Sequence, residues 1–124
     1  MKGGGMAKEV GLLFEWRVLE MLVRSGYKEV TSNYRSRFGE VDLIVFDDKQ
    51  KCLVFVEVKA RSSYSLVYGL SAVDLKKRNN IRKTADHFLQ SYRGYFEYCR
   101  FDVVVVSILT GTMFWLQDAF SGEG

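Results

Sequence analysis

The chain has 124 residues, of which 48% are hydrophobic and 15% aromatic. That is enough for one packed domain and too apolar for a disordered chain. The net charge of +3 permits nucleic-acid contact without demanding it, and no apolar run approaches the ~20 residues of a membrane span.

Residues 1–6 read as a flexible extension, residues 7–120 as a single domain and residues 121–124 as a tail. Met1-Lys2 leads into Gly3-Gly4-Gly5 and not into an apolar signal segment. Cys52 and Cys99 are too few for a disulfide scaffold and lack metal-ligand spacing, so a cytoplasmic protein with reduced thiols is expected. Ala7 to Ser25 has helical spacing, with Val10, Phe14 and Val18 on one stripe and Leu12, Leu19 and Leu22 on another. Gly26 closes that helix. Tyr27 to Ser36 is predicted as extended.

Gly39 to Phe46 and Val54 to Arg61 are rich in β-branched and aromatic residues and predict two strands. Asp47-Asp48-Lys49-Gln50-Lys51 joins them as a tight hairpin connection. Ser62 to Leu70 reads as a loop. Ser71 is the expected N-cap of a second helix, with Asp74 three residues on and the helix running to about Tyr92. Arg100 to Leu109 suits a buried central strand, and Met113 to Phe120 a last strand. The order helix, three strands, helix, two strands predicts an α/β domain around a small mixed sheet flanked by helices.

The hairpin carries the chemistry. With its turn centred between Lys49 and Gln50, Asp42 falls opposite Glu57 and Glu40 opposite Lys59. Strand alternation places all four on one face. Acids set between Val41 and Leu43, and between Val56 and Val58, do not read as plain solvent decoration. A divalent cation would neutralise them, and Mg²⁺ favours one or two carboxylates plus substrate phosphate. Lys59 lies on the same side as Glu57, placed to orient a water or stabilise negative charge; a salt bridge to Glu40 is the alternative. Glu15 interrupts an apolar helical stripe and is a further candidate ligand, unless it pairs with a base elsewhere.

Lys76, Lys77, Arg78 and Arg82 lie on the second helix, and Arg35, Arg37 and Arg61 flank the hairpin. Together they are a weak signal for phosphate-backbone contact. For Lys77, phosphate contact and snorkelling past core residues are equal readings. His87 is the only histidine, which leaves no His-based metal cluster and no base for a serine triad. No Gly-rich phosphate loop of the Walker type is present.

Asp42 followed by Glu57-Val58-Lys59 on the next strand has the form of the PD-(D/E)XK nuclease signature. More narrowly, Phe38-Gly39-Glu40-Val41-Asp42-Leu43-Ile44 with Val54-Phe55-Val56-Glu57-Val58-Lys59-Ala60-Arg61 resembles the YraN-like family of predicted endonucleases. Gly11 with Glu15, the lysines opening the second helix, and Arg100-Phe101-Asp102-Val103-Val104 extend the resemblance from about Gly11 to Val106. The proline that leads the signature is absent, but it carries no metal-binding atom. The resemblance implies a restriction-endonuclease-like fold similar to that of archaeal Holliday junction resolvases. It implies Mg²⁺ or Mn²⁺ held by Asp42, Glu57, the Val58 carbonyl and Glu15, with Glu15, Asp42, Glu57 and Lys59 as the catalytic set. It implies DNA as substrate, including branched repair or recombination DNA. It leaves room for a homodimer and for a repair or recombination partner protein. Two alternatives stay open: a DNA-binding or assembly module with little activity alone, and a protein-interaction domain whose carboxylates are tied up in salt bridges.

Overall fold

The computed structural model describes residues 3–62 and 73–122, with side chains from Glu9 onward. Helix α1 (Gly3–Arg24) leads into β1 (Tyr27–Ser36), β2 (Gly39–Asp47) and β3 (Cys52–Arg61), followed by α2 (Leu75–Ser91), β4 (Tyr98–Ser107) and β5 (Met113–Phe120). The five strands form one sheet in sequence order. β3 and β4 run parallel, and every other neighbouring pair is antiparallel. The sheet is therefore mixed, as expected, with α2 in the crossover that a parallel pair requires.

Each face of the sheet receives one helix. Phe14, Val18 and Leu22 of α1 pack on Leu43, Val45, Val54, Val56 and Val104. Ile81, Ala85 and Phe88 of α2 pack on Ile44, Leu53, Phe55, Val103 and Val105 on the other face. β3 and β4 are covered on both sides, which is why their sequences are nearly continuous apolar runs rather than alternating ones. No helix among the described residues is long and apolar enough to cross a membrane.

Several boundaries differ from expectation. α1 begins at Gly3 and not Ala7, and it ends at Arg24; the Ser25 N–H donates to the Met21 and Leu22 carbonyls, and Gly26 follows at φ 97°. α2 begins at Leu75, capped by Asp74, whose carboxylate accepts the Lys77 N–H at 2.9 Å. The expected cap, Ser71, and most of the expected loop lie outside the described residues. β4 starts two residues early because the parallel register pairs Cys52 with Tyr98, and the Glu97 and Tyr98 N–H groups both donate to the Lys51 carbonyl. It stops at Ser107, whose carbonyl accepts the Gly111 N–H in the turn to β5.

A buried polar network ties three strands together. Asp102 receives the Arg100 guanidinium through two bonds of 2.8 and 2.9 Å, the Trp115 indole N–H at 2.9 Å and the Asp118 backbone N–H at 2.9 Å. Arg100 also donates to the Tyr27 hydroxyl at 2.9 Å. Burial disfavours the Arg100 cation, but the bonds to Asp102 and Tyr27 outweigh it and raise its pKa further above the usual value. At the far end of the sheet the Arg82 Nε donates to the Ser121 carbonyl at 2.6 Å. The Arg78 and Arg82 guanidiniums stand 5.7 and 5.3 Å from the centre of the Phe120 ring.

Candidate metal centre

The site forms where β2 and β3 part. Their ladder pairs Asp47 with Cys52 and continues to Leu43 with Val56, where the paired rungs end. One residue further along the same register, Asp42 and Glu57 come together. The Asp42 Oδ2 accepts the Val58 N–H at 2.8 Å, taking the place of a backbone acceptor. Side-chain alternation also shifts here: Val41 packs with the α2-side cluster, whereas Leu43 and Val45 pack against α1. The opened end lets carboxylates from α1, β2 and β3 meet.

One carboxylate oxygen from each of Glu15, Glu40 and Asp42 lies within 4.8 Å of the others. An Mg²⁺ ion at ~2.1 Å from each ligand spans at most about 4.2 Å between oxygens, so a small closure would seat it. The Glu15 Oε1 is buried and has no hydrogen-bond partner among the described residues. Burial raises the Glu15 pKa; a hydrogen bond from Asn33 opposes that, and the charges of Glu40 and Glu57 add to it. The donor set is all oxygen, as a hard divalent cation requires.

Asp42 is the most perturbed acid. Burial comes first, then the charge of Glu57 and a hydrogen bond shared with it, and together they push its pKa up to about 9 against the pull of the Val58 N–H. The metal-free protein therefore holds a proton on Asp42 at neutral pH, while the unfolded chain releases it near ~3.9. Between those limits the folded state binds more protons, so stability should fall as pH rises from about 4 towards 9. Asp42→Asn should flatten that slope and weaken divalent-metal binding. Thermal melts in chelator across pH 5–9 test this; equal slopes for parent and variant would contradict it.

Glu57 is buried and sits between two ammonium groups, Lys59 Nζ at 3.1 Å and Lys77 Nζ at 3.0 Å from its Oε2. Burial lowers the Lys77 pKa, but the Glu57 charge and hydrogen bond overcome it and raise the net value. The alternative for Lys59, a salt bridge to Glu40, is not formed among the described residues. Glu40 instead pairs with Arg35 at 2.9 Å, because β1–β2 pairing sets the two directly across from each other while the β2–β3 ladder has ended. The expected four-residue cluster thus divides into Glu15–Glu40–Asp42 and Glu57–Lys59–Lys77, joined through the Asp42–Glu57 contact.

Glu40, outside the ligand set that the family resemblance implies, completes the acidic cluster. Its place two residues before Asp42 was the available signal. Val58, expected as a carbonyl ligand, is seen orienting Asp42 through its N–H. The candidate phosphate contacts are scattered. Arg35 is on Glu40, the Arg37 guanidinium lies 4.8 Å from the Phe38 ring centre, Arg61 donates to the Ala60 carbonyl, and Lys76 is exposed. Lys77 binds Glu57, Arg78 donates to the Val73 carbonyl at 2.9 Å, and Arg82 to Ser121.

Comparison with known proteins places these residues in a wider group. The family described as "Uncharacterised protein family UPF0102" matches residues 14–106, a span that holds every acid and lysine of the site. A UPF0102 protein of Acinetobacter baumannii (strain AYE) is 45% identical over 100 residues, covering 80% of this chain and 74% of that protein. A UPF0102 protein of Fusobacterium nucleatum is 36% identical over 117 residues, covering 94% of each. One of Legionella pneumophila is 34% identical over 116 residues, covering 93% of this chain and 97% of its own length. With its hairpin motifs, its mixed sheet between two helices and a match over most of its length, the chain belongs to the UPF0102 family, the YraN-like group.

Proposed function

We propose that this protein is a divalent-metal-dependent endonuclease that hydrolyses phosphodiester bonds in DNA, with Mg²⁺ or Mn²⁺ as its ion. The carrying observation is Asp42: a carboxyl group pressed among Glu15, Glu40 and Glu57, with a buried Glu15 oxygen that no group among the described residues satisfies. Such crowding costs stability unless a cation relieves it. A bound ion would polarise the phosphate and lower the pKa of an attacking water. Asp42, Glu15 and Glu40 are placed to hold it, and Asp42 is held in aim by the Val58 N–H. Glu57 fixes the Lys59 ammonium through a 3.1 Å ion pair, and the Lys59 side chain keeps 18% of its surface exposed. That ammonium orients the water or meets the negative charge that develops on the phosphate.

One observation favours a second reading. Glu57 is already neutralised by two lysines, as in a DNA-binding or assembly module that keeps the fold with little activity of its own. The test is cleavage of single-stranded, duplex, flap and four-way DNA with Mg²⁺, with Mn²⁺ and in chelator. Metal-dependent cutting that disappears in Asp42→Asn supports the nuclease. Binding of those DNAs without cutting in either metal supports the module.

A further inference from the structure

Beside the carboxylates a cleft of about 310 Å³ opens between α1 and β1. Its apolar wall is made by Leu12, Trp16 and Leu19, and its polar lining includes Glu15, Glu29 and Asn33. Leu12, Trp16 and Leu19 follow one another at helical spacing and line the α1 side of the cleft. Trp16 is 60% exposed although it is the largest side-chain type. Asn33 adopts a left-handed conformation at φ 52°, and its side chain bonds Glu15. The cleft therefore ends at an acid of the candidate metal centre.

We infer that this cleft receives an unpaired nucleobase, stacked on Trp16, from the nucleotide next to the phosphate held at the carboxylates. This rests on the nuclease reading and adds the substrate class: nucleic acid with an unpaired nucleotide at the site of attack. A base has apolar faces and a polar edge, and the cleft is lined by both an exposed indole and hydrogen-bonding groups. Two carboxylates in the lining exclude a free phosphate but accept the N–H groups of a base edge. A base inside continuous duplex would have to leave its stack to enter, whereas one at a junction, flap or single strand is already free.

The test is binding in chelator and at low salt, where no cutting occurs. The probes are a single-stranded oligothymidylate and a duplex of the same length. Intrinsic fluorescence of the parent should be quenched by the single strand, and this component should vanish in Trp16→Phe, which leaves only Trp115. Trp16→Ala should weaken single-strand affinity about tenfold, Trp16→Phe should lose less, and duplex affinity should stay the same, in line with one lost base–aromatic stack. Because no turnover is read, absence of nuclease activity leaves this result standing. If the protein cuts, Trp16→Ala should also lower its preference for unpaired over duplex DNA. Equal single-strand binding by parent and Trp16→Ala would overturn the inference. So would a change in sedimentation of Trp16→Ala without a change in oligonucleotide binding, which would make this helix face a contact between protein chains.

Discussion

Lys59→Ala should reduce DNA cleavage by on the order of 10²–10³-fold, the loss seen when one preorganised donor to a developing negative charge is removed. The variant should remain folded. Lys77 stays 3.0 Å from the Glu57 Oε2, so the buried carboxylate keeps one cation. Divalent-metal affinity should hold or rise, because an ammonium that competes for the same acids has gone. Lys77→Ala supplies the contrast. Lys77 approaches Glu57 from α2, outside the Glu57-Val58-Lys59 strand segment, so its loss should cost less activity. Single-turnover cleavage with calorimetric metal titration separates the cases. If Lys59→Ala cuts at the parent rate, Lys59 has no role in the chemistry and the DNA-binding or assembly module gains. If it loses metal binding together with cleavage, Lys59 positions ligands and does not act on the phosphate or water.

Asp102→Ala should destabilise the fold by about 3–5 kcal/mol, read by urea or thermal denaturation. The carboxylate is wholly buried, and its removal leaves the Arg100 cation, the Trp115 indole and the Asp118 N–H without their acceptor. Asp102→Asn should cost less, since an amide oxygen still accepts one of those donors. Cleavage by either variant under conditions where it remains folded should approach that of the parent, because the bonds of the network run to Tyr27, Arg100, Trp115 and Asp118 and to none of Glu15, Asp42 and Glu57. A loss below about 1 kcal/mol for Asp102→Ala would show that water or a repacked side chain replaces the carboxylate.

The hairpin was the most legible part of the chain. Its turn residues and apolar alternation imply the register in which Leu43 pairs with Val56, and that register leads directly to Asp42 beside Glu57. The layering of α1 and α2 on opposite faces also follows from their spaced apolar stripes and the doubly apolar strands between them. What stayed hidden depends on contacts distant in sequence. Glu40 turned from Lys59 to Arg35 because pairing with β1 fixed its position, and no local pattern in β2 specifies that choice. Helical periodicity gives the side of α2 on which Lys77 lies but not the Glu57 carboxylate that it meets there. Ser71 and Asp74 are both good capping residues in sequence, and the Lys77 N–H selects Asp74. Asp102 looked like one polar residue in a strand, and only its four donors, drawn from three places in the chain, explain its burial.

The cations of α2 that grip the end of β5 have a consequence for solubility. β5 is an edge strand, and an edge with free N–H and C=O groups can recruit a strand from another molecule. Arg82 fastens the backbone just past that strand, and Arg78 with Arg82 covers the ring of Phe120. Peeling the edge away would expose the ring and break a charged hydrogen bond at once. Two arginines that the sequence offers as nucleic-acid contacts also hold the chain end against α2, so replacing both should loosen this edge for strand addition as well as weaken any contact with phosphate.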